Sequence, residues 1–225
     1  MVDSISRIAS ALESARVITL EAAAVASSKL GESSYTHYSK GITPEQLRTL
    51  LNSRNSREIK DGMKRIIAIM SSGDGSMDVE SYFADVIKNI ISNDMKIKIL
   101  VCIYLLRFAE KDPNLALLSI NSLQKTISDG DPEVRALSIK ALSDIKIPSL
   151  YPIVLHTLKK VVADTSATVR NEVSFALLKL YVAKAEEMED DIVHILQDLL
   201  ADADPMVLSS AILVLKECFP DKLEW

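Results

Sequence analysis

Five segments of this chain can be laid under one another in a single register, and that repetition restricts the possible folds more than any other feature. The segments are Arg54–Ile67, Ser92–Leu105, Asp129–Leu142, Asp164–Leu177 and Asp202–Leu215. Each opens on a polar residue, most often Asp, and carries an aliphatic residue at a fixed place: Ile59, Ile97, Val134, Val169 and Val207, at intervals of 38, 37, 35 and 38 residues. A basic residue follows in four of them (Lys60, Lys98, Arg135, Arg170), and Leu208 takes that place in the fifth. Small and aliphatic residues at helical spacing complete every segment. A period of this length is the signature of helical hairpins that cannot each bury a core alone and must stack to do so.

Helix start signals fall in step with the register. Thr43-Pro44-Glu45-Gln46 is a capping box with proline at the first helical position. Asp112-Pro113, Asp131-Pro132 and Asp204-Pro205 repeat the Asp cap followed by proline, and Asn93, Ser149 and Ser166 are weaker caps. These signals predict first helices over about 44–52, 79–91, 113–127, 149–163 and 190–201, and second helices over about 56–71, 94–109, 132–145, 167–183 and 205–218. Residues 1–30 read as a leading helical segment on the apolar spacing within Asp3–Lys29, residues 31–43 as a linker, and Ser71–Ser76 as a turn. The tetratricopeptide and ankyrin patterns are missing. The expected fold is therefore all-α, a right-handed α-solenoid of HEAT/armadillo-like hairpins over residues 44–225.

Composition narrows the function. The formal charge of −5 argues against a nucleic-acid binder. Six glycines and an aromatic content of 5% do not suit an all-β chain. Cys102 and Cys218 sit in apolar runs and read as reduced, buried thiols. The longest apolar run, Ile99–Leu106, is far short of the roughly 20 residues that a membrane span needs. No secretory leader is read near Met1, so a cytoplasmic chain with at most peripheral membrane contact is expected. His37, His156 and His194 lack metal-binding spacing, and no phosphate loop or nucleophile elbow occurs. No enzyme, metal or cofactor is expected.

Three constellations remain. The spacings Asp129 to Arg135 and Asp164 to Arg170 place a carboxylate in a turn and a guanidinium on the helix that follows. In stacked hairpins such groups form a structural ladder running between adjacent repeats, because the guanidinium fork matches a carboxylate. A basic cluster (Arg48, Arg54, Arg57, Lys60, Lys64, Arg65) stands against Glu45, Glu58 and Asp61. It is either a solvated helix face or a contact for anionic lipid headgroups. In Asn114–Asn121, Leu115, Leu118 and Ala116 suit a core face. Leu117 and Ile120 then share a second face, open either to a partner or to packing between repeats. The acidic stretch Glu186–Asp191 reads as favourable charge at a helix start.

The stretches DGMKRIIAIMSSG (61–73), YFADVIKNI (82–90), YLLRFAEKDPNLALLSIN (104–121), DGDPEVRALSIKALSDIKIP (129–148) and ATVRNEVSFALLKLY (167–181) resemble the amino-terminal trunk of beta-adaptins, the large beta subunits of heterotetrameric vesicle-coat adaptor complexes. LALLSIN (115–121) and ECFPDKLEW (217–225) look most like the beta subunit of the third adaptor type. The resemblance implies a scaffold in transport from Golgi or endosomes to lysosome or vacuole. Its partners would be a second large, a medium and a small subunit, and an ARF-family GTPase in its GTP form. It would sit peripherally on Golgi, endosome and vesicle membranes. The resemblance also implies GTPase contact at Leu117, Ile120 and Asn121. Lys60, Lys64 and Arg65 are the lipid-headgroup candidates, since another adaptor type uses a Lys-Lys pair at the place of Lys64-Arg65. Another HEAT scaffold, such as a nuclear transport receptor or a phosphatase scaffold, is the alternative.

Overall fold

A computed structural model describes residues 38, 41–72, 77–109 and 111–222, and every regular element among them is helical. The sequence readings for residues 1–30, for most of the linker and for the end of the Ser71–Ser76 turn lie outside the described residues. Two compact units emerge, one up to Ser122 and one from Leu123 onward.

In the first unit, α1 (Pro44–Leu51) starts on the capping box. Thr43 Oγ1 accepts from the Gln46 N–H at 3.3 Å, and Gln46 Oε1 accepts from the Thr43 N–H at 3.0 Å. α2 (Ser56–Ser72) lays Ile59, Met63, Ile66 and Ile69 into the core at helical spacing. The two helices meet at Gly62. A Cβ there would stand 2.9 Å from Leu50 Cβ and 3.2 Å from the Leu51 backbone nitrogen, so no larger residue permits this approach unchanged.

The predicted helix over 79–91 is instead a short α3 (Phe83–Ile87) between two 3₁₀ turns, Glu80–Tyr82 and Lys88–Ile91. No side chain caps the entry at Val79. At the exit the Asn89 amide donates to the carbonyls of Asp85 (2.8 Å) and Leu51 (3.1 Å), tightening the last turn while satisfying the end of α1. α4 (Met95–Phe108) is capped by Asp94 rather than Asn93 and is buried nearly all round. α5 (Pro113–Thr126) begins in this unit, and the division falls within it.

In the second unit, α6 (Pro132–Asp144) and α9 (Pro205–Cys218) start on Asp131 and Asp204, whose carboxylates accept from the N–H groups of Glu133 and Met206. α7 (Tyr151–Val161) follows a 3₁₀ turn at Pro148–Leu150.

The two helices expected over 167–183 and 190–201 are one continuous assignment, α8 (Ala167–Leu200). Nothing in Val182–Asp190 (VAKAEEMED) stops a helix: it holds no Gly, Pro, Ser, Thr or Asn. A straight helix would hold residues 170 and 202 about 48 Å apart. Yet the Arg170 guanidinium grips the Asp202 carboxylate at 2.5 and 3.0 Å. The element therefore doubles back. Lys179 on its first limb pairs with Asp144 at the end of α6, and Asp191 on its second pairs with Lys159 of α7, each at 2.7 Å.

Candidate functional site

The most ordered polar arrangement is a chain of rungs in the second unit. Arg135 stands on the first turn of α6. Its Nη1 donates to the carbonyls of Asp129 (2.9 Å) and Gly130 (3.3 Å) in its own turn, while Nε and Nη2 fork onto the Asp164 carboxylate at 2.9 and 2.7 Å. Arg170 repeats the pattern: Nη1 donates to the Asp164 carbonyl at 2.7 Å, and the fork takes Asp202. Each arginine thus ties its own turn to the next one.

These side chains are well covered, at 13% and 12% exposure for Arg135 and Asp164, and 18% and 9% for Arg170 and Asp202. Burial pushes the Asp164 carboxyl upward. The Arg135 hydrogen bonds, the Ser166 N–H and the nearby guanidinium charges outweigh it and leave the group below its ordinary range. For Asp202 the Arg170 hydrogen bonds dominate and lower it against burial. Asp202 escaped the sequence reading as a rung partner, although it stands at the same place as Asp129 and Asp164, six residues before the fixed basic position.

The basic cluster has a different character. Lys60 pairs with Asp94 at 2.8 Å, and Arg65 Nε pairs with Asp61 at 2.7 Å. Lys64 and Arg65 both lie 5.8 Å from the centroid of the Tyr38 ring. Arg48 stacks over Tyr82 at 5.4 Å. Arg54 and Arg57 are exposed.

The α5 patch differs from its expectation. Ile120 is fully buried and offers no side chain at the surface, whereas Leu118, expected in the core, is 51% exposed beside Leu117 at 45%. Asn121 is exposed. The reason is the stripe farther along the chain: Ile120, Leu123 and Ile127 are all buried, and their spacing of three and four residues fixes the inward face.

A groove of about 580 Å³ between α8 and α9 is lined by Phe175, Met206, Ile212 and Leu213, with Asn171 and Lys216 among its polar residues. The sequence reading did not single it out. Its signal is the apolar excess of α9 (PMVLSSAILVLKEC), which leaves aliphatic side chains on more than one face.

His156 and His194 are exposed on α7 and α8. Cys102 and Cys218 are buried, and burial pushes the Cys218 thiol up to about 12. Among the described residues no cluster of His, Cys, Asp and Glu could hold a metal ion, and no helix is long and apolar enough to cross a membrane.

Comparison with known proteins places this arrangement. The family model for the adaptin N-terminal region matches residues 39–224. The chain is 62% identical, over its whole length, to the AP-3 complex subunit beta of Saccharomyces cerevisiae, and spans 28% of that protein. A homology model of the full-length AP-3 complex in an intermediate open conformation contains a chain 62% identical, with a TM-score of 0.67, covering 100% of this chain and 36% of that one. A designed armadillo repeat protein in complex with a (KR)4 peptide is 18% identical with a TM-score of 0.57, covering 76% of this chain and 80% of that one. At that identity the likeness shows the fold alone, an all-α solenoid of armadillo/HEAT-like hairpins.

Proposed function

This chain belongs to the adaptin N-terminal family, and we propose that it is scaffold material for a vesicle-coat adaptor complex of the AP-3 type. It works through surfaces rather than reactive groups. Its partners are the second large, the medium and the small subunits. Its route is protein transport from Golgi or endosomes to the lysosome or vacuole, on the cytoplasmic face of those membranes. The observation that carries this reading is the 62% identity to the yeast beta subunit along the whole chain.

The rungs suit such a role. Forked arginine–carboxylate ties fix the angle between successive hairpins while leaving their outer helix faces available to partners. A GTP-loaded ARF-family GTPase is proposed to dock on Leu117 and Asn121, with Leu118 in the place first given to Ile120. Anionic headgroups are proposed to meet Lys64 and Arg65. Lys60 contributes less, because Asp94 already neutralises it, and Arg65 is likewise paired with Asp61, which makes Lys64 the foremost of the three.

Co-expression with the other three subunits tests the scaffold reading. The chain should co-purify with them through size exclusion. A chain that elutes alone, while a longer beta subunit assembles in the same hands, overturns it. Introducing a negative charge at Leu117 and Leu118 (each Leu→Glu) should abolish GTP-dependent recruitment to liposomes while helicity stays unchanged. Unchanged recruitment removes the docking assignment.

A further inference from the structure

We propose that Tyr38 is a cover on the Lys64–Arg65 pair: its ring occupies both cations and holds down their affinity for anionic headgroups, so displacing Tyr38 opens the site. This deepens the lipid reading above and rests on it.

The geometry is specific to this pair. Lys64 Nζ and Arg65 Cζ lie at the same 5.8 Å from one ring centroid, so a single aromatic ring serves two adjacent cations on α2. Neighbouring residues on a helix point about 100° apart, and the Tyr38 ring sits within reach of both. Lys64 and Arg65 are each half-buried, although they lie on an otherwise polar face. Arg65 is held from its other side by Asp61, which leaves Lys64 as the member that depends most on the ring.

Gly41 has φ +74, in the left-handed region that glycine adopts without penalty. A Cβ at Gly41 would meet nothing within 4 Å, so the glycine serves the turn rather than the packing. Lys60 does not share the cover: its ammonium is taken by Asp94.

A phosphate oxygen that approaches Lys64 or Arg65 from the side of Tyr38 must displace the ring. An anion is not attracted to the negative face of an aromatic ring, so the ring and the headgroup compete for the same cations. The contact is weak enough to be displaced by a high density of anionic lipid. It therefore acts as a threshold and not as a block.

The test uses the whole chain with phosphatidylcholine vesicles containing phosphatidylserine, and a second readout that needs no membrane. Tyr38→Ala should lower the lipid concentration for half-maximal binding about threefold, the size expected for removal of an exposed cation–π contact. Tyr38→Phe keeps the ring and should behave as the parent. Lys64→Ala with Arg65→Ala should abolish the gain from Tyr38→Ala. In parallel, acetylation of Lys64 by a small reagent, followed by mass spectrometry, should speed up several-fold in Tyr38→Ala and not in Tyr38→Phe. Faster acetylation without vesicle binding by any variant keeps the cover and rejects the lipid reading. Unchanged acetylation in Tyr38→Ala overturns the cover, and so does vesicle binding that weakens when the ring is removed.

Discussion

Up to Ser122, neighbouring helices are tied by amides, lysine–carboxylate pairs and aromatic rings; from Leu123 onward guanidinium–carboxylate forks join the lysine pairs and are the best covered ties. In the first unit Asn89 reaches the Leu51 carbonyl, Asn52 reaches Asp85, and the buried Tyr104 hydroxyl donates to the Val79 carbonyl at 2.5 Å. Tyr104 also packs between Phe83 and Phe108, at 6.1 and 4.6 Å between centroids. Among the described residues the second unit shows the ring pair Tyr181–Phe219, and it relies on aliphatic packing, the two rungs and the Lys159–Asp191 and Lys179–Asp144 pairs. The same repeat plan is therefore stabilised in one place largely by amide, hydroxyl and ring contacts, with carboxylates in more exposed single contacts, and in the other by covered carboxylates held in forks. The two units should separate under acid.

That separation is the largest effect expected. The folded Asp164 and Asp202 carboxyls lie below their unfolded values. Their contribution is therefore complete above the ordinary aspartate pKa of about 3.9, and is lost as pH falls below it through the folded values. Both rungs weaken together below about pH 4, so amide exchange should accelerate in 123–222 before it does in 41–122. Asp94 in the first unit is lowered too, chiefly by the Lys60 hydrogen bond, but it is one half-exposed pair against two covered forks. Hydrogen exchange that rises equally in both units on acidification would erase the contrast.

Arg170→Ala should come next, at about 2–4 kcal/mol. It leaves the Asp202 carboxylate covered and unpaired, and strips the Asp164 carbonyl of a donor. The loss should appear as faster exchange across α8 and α9 with α1 to α4 unchanged. A shift below about 0.5 kcal/mol would mean that the rungs orient the hairpins without stabilising them.

Gly62→Ala probes the first unit at its tightest contact. Alanine favours helix by about 1 kcal/mol over glycine, yet here the new Cβ must push back Leu50 and the backbone at Leu51. The crowding should win, for a net cost of about 1–2 kcal/mol confined to 41–122. A stabilised variant would show that the α1–α2 approach yields easily and that the amide ties alone set it.

How far this contrast could be read in advance depends on which force decides each feature. Helix starts at Thr43, Asp131 and Asp204 were legible, because a cap is a local event within four residues. The rung residues Asp129, Arg135, Asp164 and Arg170 were legible as types at a spacing. The forks, however, join each arginine to the aspartate one hairpin on, which only stacking decides. The inward face of α5 was misread because NLALLSIN is aliphatic on both sides, and Leu123 and Ile127 settle the matter from outside it. α8 doubles back as the two helices expected over 167–183 and 190–201 require, whereas the 3₁₀ turns around α3 follow from the long reach of Asn89, which a periodicity does not display. Tyr38 was legible only as part of a linker.

The smallest effect sharpens the comparison most, because it holds the repeat position constant and changes the chemistry. Lys60 occupies the register position of Arg135 and Arg170, and its partner Asp94 also lies one hairpin on. The pair makes a single contact at 2.8 Å, with 28% and 26% exposure, where the arginines make forks at half that exposure or less for most members. A point charge on a flexible stem in a solvated site gains little over its hydrated state. Lys60→Ala should therefore cost about 0.5 kcal/mol, measured as the change in denaturation midpoint of the first unit, against several times that for Arg170→Ala. Lys60→Arg should recover more than the parent if geometry limits the pair, and no more than the parent if solvent does. A cost for Lys60→Ala equal to that for Arg170→Ala would show that register position, and not the fork, sets the strength of a rung.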